Sequence, residues 1–279
     1  MPARNLTIWV RVVATYAALV AAALLFLAPV LWMISTSLKV ESQVFSAQPK
    51  WIPSPPRWSN YPEALASFPF LLYLRNTLLV AGMTTVGTVF SAALPAYGFG
   101  CLRWRGRDAL FFLLIATLML PAQVTMLPVF LIFRSLGWTG TFLPLIVPPF
   151  LGSAFSIFLL RQFFRTLPTE LFDAARIDGC SELGILLRVA APMARPAIAT
   201  IALFAFTWSW MDFLNPLIYL HDEDQYTLAI GLQAFMGRHA SEWALLMAAA
   251  AVITLPMVVL FLAAQRAYVK GIALTGLKG

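Results

Sequence analysis

Apolar residues run in long blocks along the chain, and short polar stretches separate them. Residues 12–34 carry no charge. A helix needs roughly 20 such residues to cross a hydrocarbon core of about 30 Å. Similar blocks cover residues 73–99, 109–133, 142–163, 197–220 and 243–265. The pattern predicts an all-α membrane protein with six transmembrane helices. The first block is too long for a typical signal-peptide core, and no small-residue cleavage motif follows it. It is therefore expected to be a retained span. Gly82, Gly87, Pro95 and Gly98 interrupt the second block, Pro121 and Pro128 the third, and Pro144, Pro148 and Pro149 the fourth. A kink or close helix packing is expected in the second block.

The polar stretches differ in kind. Residues 35–70 are rich in Pro and read as stiff, extended chain. Residues 221–242 read as a loop. The longest polar interruption between two strongly apolar blocks is 167–196, LPTELFDAARIDGCSELGILLRVAAPMARP. It holds four acids (Glu170, Asp173, Asp178, Glu182) and three arginines (Arg176, Arg188, Arg195). Locally it predicts two short helices with a bend. Pro168 suits a first turn, and Glu170 and Asp173 fall near the positive end of a helix dipole. Leu171, Ala174 and Ala175 share one face at helical spacing. Gly179 can end the first helix in the left-handed conformation, and Ser181 can cap the second. Pro192 and Pro196 limit how far that second helix continues.

Composition sharpens the class. The chain has 279 residues, 61% hydrophobic and 11% charged. Soluble domains are nearer half apolar and about a quarter charged. A net charge of +7 raises the question of nucleic acid. No basic run is interleaved with aromatics, however, and the arginines cluster at helix ends, so no nucleic-acid partner is expected. With the N-terminus inside, thirteen Lys and Arg fall on inner segments, among them Arg103, Arg105 and Arg107. Six fall outside: Lys39, Lys50, Arg57, Arg75, Arg134 and Arg238. That excess predicts an N-in, C-in topology and places 167–196 in the cytoplasm. Cys101 and Cys180 then lie in or beside cytoplasmic loops, where a structural disulfide is not expected.

No catalytic constellation is present. The two histidines, His221 and His239, form no H-E-x-x-H pair, and no Cys/His cluster has metal spacing. GIALTGLKG lacks the G-K-[ST] of a phosphate loop, so hydrolysis of ATP by this chain is not expected. Among the apolar blocks, Asp212 is the exceptional carboxylate, within TWSWMDFLNP. An intramembrane acid is costly and is a functional candidate by default. Trp208 and Trp210 could stack on a sugar ring, and Asp212 and Asn215 could bond hydroxyls. Equally, Asp212 could sit near the outer helix end, hydrated or bonded to a neighbour. The sequence leaves both open.

DAARIDG, with Pro192 thirteen residues after Gly179, resembles the "EAA" loop of membrane subunits of binding-protein-dependent ABC importers. Trp58, Asn60 and Tyr61, the string PAQVTMLPVFLIFRSLGWTGT and the closing QRAYVKG segment are similar to the carbohydrate-type branch. The resemblance implies one transmembrane domain over 1–279 in a bacterial-type inner membrane. Its coupling helix, between spans 4 and 5, would dock on a separate ATPase through Glu170, Asp173, Ala174, Ala175, Asp178, Gly179 and Pro192. Asp173 stands where the family prefers Glu, and Met211 where it shows Asn. The implied partners are a second homologous permease, an ATPase dimer that binds ATP and Mg, an extracytoplasmic solute-binding protein and the lipid bilayer. This chain would bind no cofactor and would be no enzyme. The implied function is import of a carbohydrate or related polar solute. The alternative is an ion-coupled secondary transporter, which usually places ionisable groups at mid-membrane.

Overall fold

A computed structural model of the chain describes residues 2–46, 48–238 and 242–276. His239 and Lys278 lie outside the described residues, as do the side chains of Arg4, Arg238, Arg266 and Lys270. Every regular element among the described residues is helical. Four helical segments are long and apolar enough to cross a membrane: Arg11–Ser37, Phe70–Gly100, Leu143–Phe164 and Trp243–Ala264. Two bent pairs raise the number to six if each pair is one span. The chain divides into two compact units, Met1–Pro69 with Leu232–Leu255, and Phe70–Gly231 with Pro256–Gly279.

The first unit holds α1 (Pro2–Ser37), α2 (Glu41–Val44) and α3 (Asn60–Ala66). The Pro-rich segment is folded back by polar ties. Asn60 is buried, and its Nδ2 donates to the carbonyls of Ser37 and Lys39, each at 2.8 Å. Ser37 Oγ and Tyr61 OH share a hydrogen bond of 2.8 Å. Lys39 is buried with its ammonium 3.8 Å above the Trp32 ring, and Trp32 packs edge-on to Trp51. A cation over an aromatic face is partly compensated for the water it has lost. Burial still pushes the Lys39 amine below its ordinary value.

In the second unit α4 (Phe70–Gly100) is the element the others lean on. Its small residues allow this. Ala92 and Ala96 are fully buried, and a Cβ at Gly87 would stand 2.5 Å from the Phe150 ring. Asn76 on α4 donates to the carbonyls of Asp224 (2.8 Å) and Tyr226 (3.0 Å).

In the remaining apolar blocks of this unit the helices are interrupted, although Leu143–Phe164 still runs as one segment long and apolar enough to cross a membrane. Residues 109–133 become α5 (Arg107–Ala116), a 3-10 turn and α6 (Ala122–Ser135), bent by 96°. Pro121 has no N–H to continue the ladder and drives Leu120 into extended geometry. Residues 142–163 become α7 (Leu143–Ile146), a 3-10 turn at Pro148–Leu151 and α8 (Ala154–Phe164). Gly152 separates the last two with φ of 121°, open only to glycine. α1 extends past 12–34 at both ends, because hydropathy marks what fits a bilayer, not where backbone bonding stops. The expected loop 221–242 contains a further helix, Leu228–Arg238. Its apolar run is too short to cross a membrane.

Candidate functional site

Residues 167–196 form a helical elbow built from α9 (Thr169–Ile177), α10 (Glu182–Ile185), a π turn at Leu186–Ala190 and α11 (Ala191–Met193). It leads into α12 (Arg195–Met211) with a bend of 81°. α9 starts one residue after Pro168 and carries Glu170 in its first turn, where the helix dipole favours an acid. It ends as the Gly predicts. Gly179 has φ of 80°, its N–H donates to Arg176 O at 3.0 Å, and Cys180 N–H donates to Ala175 O at 3.0 Å. These paired bonds close a Schellman motif. Ser181 then caps α10, accepting from Gly184 N–H at 3.2 Å. Pro192 sits inside α11, just after the π turn. The wider turn takes up the strain that a proline ring imposes on the preceding carbonyls.

The face expected to carry Leu171, Ala174 and Ala175 is split between core and surface. Phe172 and Ala175 face the core with Ala96, Tyr97, Phe164 and Ile185. Leu171 and Ala174 are exposed, with Ile177 87% open beside the exposed Asp178. Ala175 therefore parts from Leu171 and Ala174: it seats the helix, and they face away. A large aromatic at Phe172 outweighs a Leu one residue earlier, because it buries more area against α4.

A chain of polar contacts crosses the elbow. Tyr97 on α4 donates its hydroxyl to Glu182 Oε2 at 2.6 Å. Arg176 Nε donates to Glu182 Oε1 at 2.7 Å, and a terminal nitrogen of Arg176 donates to Asp173 Oδ1 at 2.7 Å. The Arg176 guanidinium, then the Tyr97 hydroxyl, hold the Glu182 carboxyl below its ordinary value. Bonding to Glu182 raises Arg176 above its own. Tyr97 is 4% exposed, with Phe164 and Phe172 edge-on to its ring at 6.1 and 6.2 Å. The sequence marks Glu182 only as one of the four acids of this stretch, and it gives no role to Tyr97 or Phe172. The available signal was a hydroxyl-bearing aromatic one turn from the end of an apolar block.

The second group of candidates sits elsewhere. The expected helix 197–220 stops at Met211, and a short helix α13 (Leu214–Tyr219) follows. Pro216 cannot donate to the carbonyl of Asp212, so the ladder breaks there. The Asp212 carboxylate fills the gap, accepting from Asn215 N–H at 3.2 Å and Asn215 Nδ2 at 2.8 Å. Asp212 and Asn215 thus come together as a cap rather than as two free groups. Trp210 is 5% exposed and stacked on Phe206, while Trp208 is 79% exposed. Positions two apart on a helix do not face each other, so the two indoles form no joint platform. Beyond α13 lie α14 (Leu228–Arg238) and α15 (Trp243–Gly276). In the first unit, Glu41 accepts from the Trp243 and Ala244 N–H groups at the start of α15.

Residues 98–274 match the family described as "Binding-protein-dependent transport system inner membrane component". The chain is 34% identical to the arabinooligosaccharides transport system permease protein AraQ of Bacillus subtilis (strain 168), over 73% of this chain and 72% of that one. It is 33% identical to the sulfoquinovosyl glycerol transport system permease protein SmoH of Agrobacterium fabrum, over 90% and 88%. Its fold is similar to a chain of a bacterial ABC transporter involved in import of the acidic polysaccharide alginate. The TM-score is 0.80, with 24% identity over 91% of this chain and 95% of that one.

Proposed function

We propose that this chain, which belongs to the binding-protein-dependent transport system inner membrane component family and is a permease subunit rather than an enzyme, imports a carbohydrate or related polar solute. The named sugar permeases among its relatives support the solute class. Both compact units belong to one transmembrane domain of six spans over residues 1–279, N-in and C-in, in a bacterial-type inner membrane. The excess of basic residues on the inner segments supports this orientation.

The observation that carries the reading is the exposed face of α9. Leu171, Ala174, Ile177 and Asp178 stand outward on a helix whose other side is packed. Small and apolar groups there let a short helix settle in a groove, and Glu170 and Asp173 supply charge at its rim. The groove belongs to an ATPase dimer that binds ATP and Mg, since this chain has no phosphate loop. A second, homologous permease completes the pore, and an extracytoplasmic binding protein delivers solute. ATP closure of the dimer moves α9, and the spans follow from inward-facing to outward-facing. For that shift, nucleotide must bind one state of the assembly more tightly than the other. Trp208, Asp212 and Asn215 border the solute path: an open indole face suits a sugar ring, and the capped carboxylate can still accept from a hydroxyl.

The test is a mild-detergent pull-down of this chain from its own membrane, with partners identified by mass. A second multi-span permease and an ATPase are expected. Recovery of the chain alone through several detergents would overturn the reading and favour an ion-coupled carrier.

A further inference from the structure

We infer that Tyr97 is a positioning residue for the coupling helix: through Glu182 and Arg176 its hydroxyl ties α4 to α9 so that the two move as one body. The inference rests on the reading that α9 docks on an ATPase.

The direct packing of α9 on α4 is apolar, with Phe172 and Ala175 in a core beside Ala92, Ala96 and Tyr97. Apolar contact is non-directional, so it holds the helix down without fixing its rotation or slide. Direction comes from the polar chain. A hydroxyl on a carboxylate at 2.6 Å is short and charge-assisted. Glu182 spends its other oxygen on Arg176, which is on α9 itself and also grips Asp173 one turn earlier. One carboxylate thus joins Tyr97 of α4 to Arg176 of α9, and Arg176 carries the link on to Asp173. The Arg176 pairs are more than a third exposed, where ion pairs contribute little to stability. Their consequence is geometric. The Tyr97 ring is held independently by Phe164 and Phe172, so the hydroxyl can be removed without emptying the core.

The experiment uses the complex with its ATPase in lipid nanodiscs. Spin labels are placed at the exposed Thr169, in the first turn of α9 and not among the docking residues, and at the exposed Leu94 on α4, with Cys101→Ala and Cys180→Ala removing the native thiols. With Tyr97 present, the label separation is expected to stay narrow and unchanged when ATP is added. In Tyr97→Phe it is expected to broaden and to shift with ATP, while ATPase recovery and basal hydrolysis are retained. Adding Glu182→Gln to Tyr97→Phe should broaden it no further along the Tyr97 arm than Glu182→Gln alone does. Identical distributions with and without the hydroxyl, ATPase retained, would overturn the inference. So would loss of the ATPase together with thermal stability in Tyr97→Phe, which would mark a purely structural hydroxyl. Absence of any ATPase from the unaltered chain would instead overturn the docking reading beneath it.

Discussion

Tyr97 and Glu182, 85 positions apart, meet across a 2.6 Å hydrogen bond, and Glu182 passes the contact on to Arg176 at 2.7 Å. The end of one long apolar helix is thereby joined to the polar elbow that interrupts the apolar chain. Neither residue is informative alone. Together they define how the elbow is oriented.

Gly179 sets where α9 stops. Its φ of 80° is one that L side chains resist, by roughly 1–2 kcal/mol. A Cβ there would meet nothing within 4 Å, so the cost is all in the backbone. Gly179→Ala is therefore expected to insert and fold normally while reducing ATPase co-purification and uptake. Membrane abundance and pull-down yield, measured side by side, check this. Normal transport would contradict it.

The pH response of the elbow follows from Glu182. Its carboxyl titrates below the ordinary 4.5, chiefly because Arg176 bonds its charged form. A depressed pKa contributes stability above the unfolded value, and that contribution is lost as pH falls through the folded one. A spin label at Ile177 should show unchanged mobility from about pH 8 down to about pH 5 and loosen only in stronger acid. Loosening near neutrality would contradict the assignment.

Asn60 ties the Pro-rich segment to the end of α1 through two bonds from one amide. Asn60→Ala leaves two carbonyls without that donor, a loss of roughly 2–4 kcal/mol if water does not replace it. Asn60→Asp should be at least as harmful, since its oxygen replaces the donor with a second acceptor. Thermal unfolding in detergent reads both. A tolerated Asn60→Asp would show that the amide is not the tie.

The elbow was legible where its signals are local. Gly179 and Ser181 act within a few residues of themselves, and both do what their chemistry suggests. The burial of Phe172 in place of Leu171 was not legible, because both fit helical spacing and only the shape of α4 chooses between them. The Tyr97 link joins residues 85 positions apart, and its one local sign, a hydroxyl near the end of an apolar block, names no partner. The breaks at Pro121, Gly152 and Asp212 were visible as residues, but hydropathy averages over them. It cannot tell a continuous span from two pieces joined at a bend. Asp212 taught a similar lesson: an acid in an apolar block first had to satisfy a broken ladder, which it does through Asn215.

The central claim is that the open face of α9 meets an ATPase. A photo-crosslinking amino acid in place of Ile177, the most open position on that face, tests it in intact membranes. A covalent adduct with the mass of this chain plus an ATP-binding subunit is the predicted result. Adducts with lipid alone, in cells where the transporter is active, would contradict the account.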